Sequence, residues 1–494
     1  MDWKAVLEHE VSLDPEDWEG AKSRGVRMLG DLVEYLKHIG DEPVWRKPPQ
    51  EMKDFLHQPL PDSPQDPDVL YDHFKAFILP YPKGNIHPRF WSWVQGTGSL
   101  TAVYADMLAS AMNSNLAIGD HAAMYVEQQV IDWCKSMLGY PEEASGILLS
   151  GGSMANITGL MIARNASDER IRSEGVSVTG KQLIFYASEE THSCQQKAAE
   201  VMGIGSKGLR KIPVDDQYRM RIDLLQKQIE ADIKNNCLPF CIVANAGTVN
   251  TGAIDPLEEI RQICNQYKIW FHVDGAFGAL AKLLPEYEDS LKALEQADSI
   301  AFDLHKWMYL PYEIGCLLVK DRQKHRDAFA LQPNYLSSHE RGLPAGPDPI
   351  GNYGMELSRG FKALKAWFCF QENGLDKYRQ LIRQNIAQCL YLADLIRNSD
   401  SLELLAPVPL NIVCFRFIAS EMDEEALNRL NKEILMRLHE EAVATPSYTL
   451  LNGKYAIRVA NVNHRSRKSD FNALVEGVVR IGRNLTVANK VLLK

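Results

Sequence analysis

The chain has 494 residues, with 54 Lys+Arg against 64 Asp+Glu and a formal net charge of −10. At roughly 100–200 residues per domain, that length predicts two to four domains. A hydrophobic fraction of 45% with 24% charged residues excludes a disordered chain, and an acidic balance without a basic tract argues against nucleic acid or an anionic membrane as partner.

The opening residues, MDWKAVLEHEVSLD, lack a basic region followed by an apolar one, so no signal peptide is expected. No apolar run approaches the roughly 20 residues that cross a bilayer. Nine scattered cysteines without a C-x-x-C pair point away from disulfides and structural zinc and toward a reducing cytoplasm.

The first segment reads as a helix, with Asp14 as its cap, Pro15 in the first helical position, and Glu16 and Asp17 at the positive end of the dipole. Val26, Leu29, Val33 and Leu36 recur at helical spacing, and Gly40 is a plausible stop. Residues 42–68 are proline-rich and should run extended. Such an arm cannot bury its own apolar face. It must pack on the rest of the chain or on a second subunit.

From about residue 85 to 321, short β-rich runs alternate with helical patterns. The expected strands are 147–149, 183–186, 240–243, 270–273, 299–302 and 316–319, with helices such as 154–164 and 256–267 between them. That alternation predicts an α/β fold with a mostly parallel sheet covered on both faces, and ligands bind beyond the carboxyl ends of such strands. Residues 342–354 (GLPAGPDPIGNYG) read as a mobile loop. A long helix from about Ser358 then leads to a smaller α+β segment with a helix over 424–441 and strands over 411–417 and 455–459.

Four short motifs sit where strands end. Ser150-Gly151-Gly152-Ser153 opens a helix and offers backbone amides and a hydroxyl to a phosphate, although a serine-capped turn reads the same way. Asp274 ends the run His272-Val273-Asp274, where a carboxylate can hold a proton on a ring nitrogen; an Asp before Gly is also an ordinary turn. Lys306, in Asp303-Leu304-His305-Lys306-Trp307, offers a Schiff-base amine or simply an exposed strand-end lysine. His192, after Glu190-Thr191, can stack on a flat ring or carry a proton, or cap a helix. Together a phosphate cradle, a pyridinium partner and an imine-forming lysine are the parts that pyridoxal phosphate requires. No His and acidic residues cluster at metal-ligand spacing, so His121, His325, His339 and His464 read as surface or packing residues.

The chain resembles the group II pyridoxal-phosphate-dependent amino-acid decarboxylases, which include the aromatic-L-amino-acid, glutamate and cysteine-sulfinate enzymes. The resemblance runs from about Trp18 to Arg483. It rests on His87-Pro88-Arg89-Phe90-Trp91, the 150–153 loop, Thr191-His192, Ala246-Gly247-Thr248, His272 to Ala276 and His305-Lys306-Trp307. It implies an aspartate-aminotransferase-type (fold type I) architecture. Residues 1–85 would be a dimer-forming arm, 86–360 a large cofactor domain with a seven-stranded sheet, and 361–494 a connecting helix and small domain. It also implies a homodimer with active sites at the subunit interface.

By resemblance, Lys306 bonds the cofactor aldehyde, Asp274 pairs with the pyridine nitrogen, His192 stacks over the ring and Ala276 packs beneath it. Gly152, Ser153 and His305 contact the phosphate, with Asp303 beside them and Thr248 near the cofactor. Trp93 lines the substrate pocket, and Gln95 and Asn115 are polar candidates there. Two departures bear on the product. The loop tyrosine that protonates the substrate carbon in aromatic decarboxylases aligns with Ile350, with Tyr353 nearby, while Tyr335 lies in a block that looks structural. The pocket is also less aromatic than in those enzymes.

The leading expectation is α-decarboxylation of an L-amino acid, aromatic or related, to the amine. The alternatives are oxygen-dependent conversion to an aldehyde, or decarboxylation of an acidic or polar amino acid. A carbon–carbon lyase of phosphorylated amino alcohols fits less well without a membrane anchor. A silent scaffold is disfavoured by the intact Lys306, Asp274 and His192.

Overall fold

The computed structural model describes residues 1–331, 341–420 and 422–492. Tyr335 and His339 lie outside the described residues. Residues 1–83 form one compact unit and residues 84–494 a second.

In the first unit the main helix is Trp18–Lys37, capped by Asp17, whose side chain accepts the Gly20 N–H. The expected start at Asp14 is three residues early: Asp17 caps the helix, and the Asp14 carboxylate accepts the Ser12 hydroxyl instead. Asp68 receives Arg24 and Arg27, and the Tyr71 hydroxyl donates to Asp31 at 2.8 Å, so the helix Pro67–His73 is tied to the first. No residue of Trp18–Lys37 is buried, and Val26 is 67% exposed. The proline-rich stretch is irregular apart from the short helix Gln50–Phe55.

The second unit holds two sheets. In chain order the strands are β1 (Phe90–Trp91), β2 (Ser145–Leu149), β3 (Leu183–Ser188), β4 (Leu209–Ile212), β5 (Leu238–Asn245), β6 (Trp270–Asp274), β7 (Ser299–Asp303), β8 (Gly315–Val319), β9 (Leu402–Leu404), β10 (Ile412–Phe417), β11 (Thr445–Leu451) and β12 (Lys454–Ala460). The seven-stranded sheet has the order β2-β8-β7-β6-β5-β3-β4 and is parallel except at β8. All six expected strands are present. The seventh, β4, escaped notice because its residues Leu-Arg-Lys-Ile carry the charges of an edge strand. Strands β3, β6, β7 and β8 are buried at every position, as a sheet covered on both faces requires.

The second sheet, β1-β11-β12-β10-β9, has its own core, in which Trp91 stacks on Phe471 at 4.7 Å. Here β1 pairs in parallel with β11, Phe90 opposite Thr445, so a segment from early in the chain is sewn into the C-terminal sheet. The helix Ala363–Arg397 carries a non-helical break at Gly374 (φ 62°).

The segment 342–354 corrects the expectation of a loose loop. Ile350 and Tyr353 are buried in a short 3₁₀ turn, Gly351 N–H donates to Ala117 O, and Asp120 N–H donates to Leu343 O. Arg359 follows, buried against Glu127, and both clasp the main chain of Leu148 at the end of β2. A carboxylate left alone in that interior carries its full desolvation cost. Arg359→Met should therefore destabilise the fold by about 3–5 kcal/mol, read as a lower urea midpoint. An unchanged midpoint would show that the pair contributes nothing.

Candidate active site

The carboxyl ends of β5, β6 and β7 meet the turn after β2 around a cavity of about 490 Å³. Its lining includes Trp93, Gln95, Gly152, Ser153, His192, Asp274, Ala276, Asp303, His305 and Lys306, which brings ten expected site residues to one place. Two do not line it. Thr248 is fully buried, with its hydroxyl 3.0 Å from that of Thr251 and accepting the Ala253 N–H, so it shapes the turn whose Gly247 and Val249 face the cavity. Asn115 instead clips the chain beyond the loop: its Nδ2 donates to Leu357 O at 3.0 Å and its Oδ1 accepts the Arg359 N–H at 2.9 Å.

Each side chain is aimed by its element. β6 carries Asp274 to its tip, where Oδ1 accepts the Ala276 N–H at 3.2 Å. β7 ends at Asp303, and the helical turn Leu304–Trp307 swings Lys306 back so that Nζ lies 2.8 Å from Asp303 Oδ2. Asp303 Oδ1 is buried without a hydrogen-bond partner. His305 lies 3.7 Å from Asp303 Oδ2 with Nδ1 2.9 Å from Ile314 O, and burial pushes its pKa down. His192 Nδ1 accepts the Cys194 N–H at 3.2 Å, which leaves the proton of a neutral ring on Nε2. Packing lowers the His192 pKa, with Asp274 opposing and Lys306 reinforcing that shift.

In the turn after β2, Gly152 leaves no room for a side chain. A Cβ on Gly152 would stand 2.8 Å from Asp303 Oδ2. The helix Gly152–Ser167 begins there, with its free amide ends beside the cavity. Trp93 has φ 55°, a left-handed backbone that costs a bulky residue energy, and it stands at the cavity wall.

Sequence reasoning missed the wall supplied by the C-terminal sheet. Arg458, 3% exposed in β12, lines the cavity and donates to Asn250 O, Trp93 O, Val249 O and Ser447 Oγ. Burial lowers its pKa to about 10, and no carboxylate pairs with it among the described residues. The signal was legible: a lone arginine inside the apolar run Lys454–Ala460. The residues fit a phosphorylated pyridine aldehyde, since a glycine cradle, an amine, a carboxylate and an orphaned buried acceptor converge on one cavity.

Comparisons with known proteins agree. Residues 49–418 match the pyridoxal-dependent decarboxylase conserved domain. An aromatic-L-amino-acid decarboxylase of Bacillus atrophaeus is 30% identical, over 95% of this chain and 97% of its own. A phenylacetaldehyde synthase of Arabidopsis thaliana is 29% identical, over 91% and 93%. Among solved structures, Oryza sativa TDC with PLP and tryptamine superposes with a TM-score of 0.89 at 25% identity, covering 96% of this chain and 100% of that one.

Filling the cradle should expel the cofactor. Gly152→Ala is expected to weaken pyridoxal phosphate binding at least about ten-fold, because the neighbour it strikes is itself fixed and buried. Equilibrium dialysis measures this, and wild-type affinity would refute the cradle.

Proposed function

The chain belongs to the pyridoxal-dependent decarboxylase family, and on that premise we propose that it decarboxylates an L-amino acid with an aromatic or related side chain to the amine and CO2. The observation that carries this reading is the meeting of Lys306, Asp303 and Asp274 at adjacent strand tips in one cavity. Bound pyridoxal phosphate supplies the electron sink for the pair left on the α-carbon when CO2 departs.

The protein's own groups do the rest. Lys306 would provide the amine that holds the cofactor aldehyde. Asp274 would pair with the ring nitrogen and favour its protonated form. Gly152, Ser153 and His305 would hold the phosphate, with Asp303 steering Lys306. His192 and Ala276 would pack against the ring. Thr248 would support the cofactor through its turn. Arg458 gives the cavity a buried positive charge that draws in the substrate carboxylate.

Substrate choice falls to Trp93, Tyr448 and Gln95, which line the cavity. Gln95 Oε1 is buried without a hydrogen-bond partner, so a side chain carrying a donor, such as a ring hydroxyl or indole N–H, suits it.

We place the active form as a homodimer in the cytoplasm. The uncovered apolar residues of Trp18–Lys37 support the first and nine unpaired thiols the second. Among the described residues, no helix is long and apolar enough to cross a membrane.

A second reading, oxygen-dependent conversion to an aldehyde, draws on the resemblance, which aligns Ile350 with the proton-donating tyrosine of aromatic decarboxylases. Tyr353 does not replace it, because its hydroxyl donates to Asp348 and accepts from Arg322. A panel of L-amino acids assayed for CO2, amine, aldehyde and oxygen uptake separates the two. Amine without oxygen uptake is expected. Aldehyde with peroxide would favour the second reading, and no CO2 from any amino acid would remove both.

Lys306→Ala should bind the cofactor without a borohydride-reducible bond and lose at least about a thousand-fold in rate. Residual activity near wild type would exclude Lys306 from the chemistry. The His192 pKa is lowered, so the neutral ring persists at pH values below the ordinary 6.5. The acid limb assigned to His192 in a kcat/KM profile should lie below that value and vanish in His192→Gln.

A further inference from the structure

Behind Asp274 runs a buried polar chain that the reaction itself does not use. Gln195 Nε2 lies 3.1 Å from Asp274 Oδ2 and 2.9 Å from Asn156 Oδ1. His272 Nε2 lies 2.9 Å from the same Asn156 oxygen, and His272 Nδ1 lies 2.7 Å from Ser299 Oγ. Trp270 Nε1 closes the chain on Ser299 Oγ at 2.8 Å. Gln195, His272 and Ser299 have no measurable exposure.

The direction of every bond is fixed from both ends. Gly152 O can only accept, so Asn156 turns its Nδ2 toward it, at 2.8 Å, and must turn Oδ1 toward His272 and Gln195. At the other end the Trp270 indole can only donate. Ser299 accepts from it and gives its own proton to His272 Nδ1. Burial lowers the His272 pKa to about 3, so the ring is neutral and its single proton lies on Nε2, facing Asn156 Oδ1. The two derivations agree. Gln195 must then spend both amide protons, one on Asn156 and one on Asp274. Reversed, its oxygen would face two acceptors.

The arrangement has a cost. Gln195 Oε1 is buried with no hydrogen-bond partner, which an apolar residue of the same size would avoid. A residue that served packing alone gains nothing from that orphan.

We propose that Gln195 is a positioning residue for the cofactor: its Nε2, oriented by Asn156, His272, Ser299 and Trp270, presents an N–H to Asp274 Oδ2 and holds that carboxylate toward the pyridine nitrogen. The proposal rests on the assignment of Asp274 made above. It also links the two anchoring points of the cofactor, because Asn156 grips the Gly152 carbonyl of the phosphate turn with one end of its amide and Gln195 with the other.

Gln195→Met keeps the volume and removes the donor, whereas Gln195→Glu keeps the shape and sets an oxygen against Asp274. Asp274→Asn is the reference. The readouts are the dissociation constant for pyridoxal phosphate, the pH titration of the bound cofactor's absorption, and the unfolding temperature of the cofactor-free protein. A hydrogen bond to a charged group lost from Gln195→Met should weaken binding about ten-fold or more and move the titration midpoint. Gln195→Glu should lose more. The cofactor-free unfolding temperature of Gln195→Met reports the purely structural loss, since Asn156 Oδ1 and Asp274 Oδ2 each lose a donor while the orphaned oxygen is removed.

Wild-type binding and titration in Gln195→Met, with Asp274→Asn impaired, would overturn the proposal and leave Asp274 in its role. Wild-type behaviour in Asp274→Asn would overturn the assignment beneath it. If Gln195→Met fails to fold, Gln195→Glu decides: unimpaired binding there would equally refute the proposal.

Discussion

Parallel pairing sets Asn245 opposite Asp274 and Asp274 opposite Ala301, so the tips of β5, β6 and β7 finish almost flush. Side chains leaving these tips have one common direction in which to go. A register slip of one residue would turn Asp274 into the packed face of the sheet and withdraw it from the cavity. The apolar runs behind the tips, buried at every position in β6 and β7, make such a slip prohibitively unfavourable. Placement of the acids is thus inherited from the hydrophobic interior, and the charges themselves contribute little to it.

The same geometry sets the electrostatics. Two acids, Asp274 and Asp303, are buried at this end of the sheet, with Lys306 Nζ 2.8 Å from Asp303 Oδ2. Burial pushes the pKa of the nearby His192 and His305 imidazoles down. On the wall supplied by the C-terminal sheet, Arg458 is a cation whose donors are mostly taken by backbone carbonyls.

Much of this was visible in the chain. Lys306, Asp274 and His192 stood out because each is a chemically capable residue at the end of an apolar run, and chain reversal at strand ends is a local property. Gln195 was not visible in the same way, because its carboxylate partner lies 79 residues distant; Arg458 showed only as a lone charge in a strand, and the contacts that bring it to the cavity lie up to 365 residues away. Thr248 and Asn115 carried the right chemistry in the right neighbourhood, yet other hydrogen bonds claimed their polar atoms: local ones within its own turn for Thr248, and bonds to Leu357 and Arg359, more than 240 residues away, for Asn115. The segment 342–354 misled for a composition reason. Glycine and proline mark irregular backbone, and irregular backbone is not the same as loose backbone when carbonyls such as Ala117 O are waiting to pair.

The pairing of β1 with β11 has a consequence for synthesis. A ribosome completes Lys306 and both acids long before it reaches Thr445, the partner of Phe90, or Arg458, which fastens the Trp93 carbonyl. Throughout that interval the nascent polypeptide carries Lys306 but lacks one wall of the chamber. Closure of the chamber therefore waits until the segment through Arg458 has been translated.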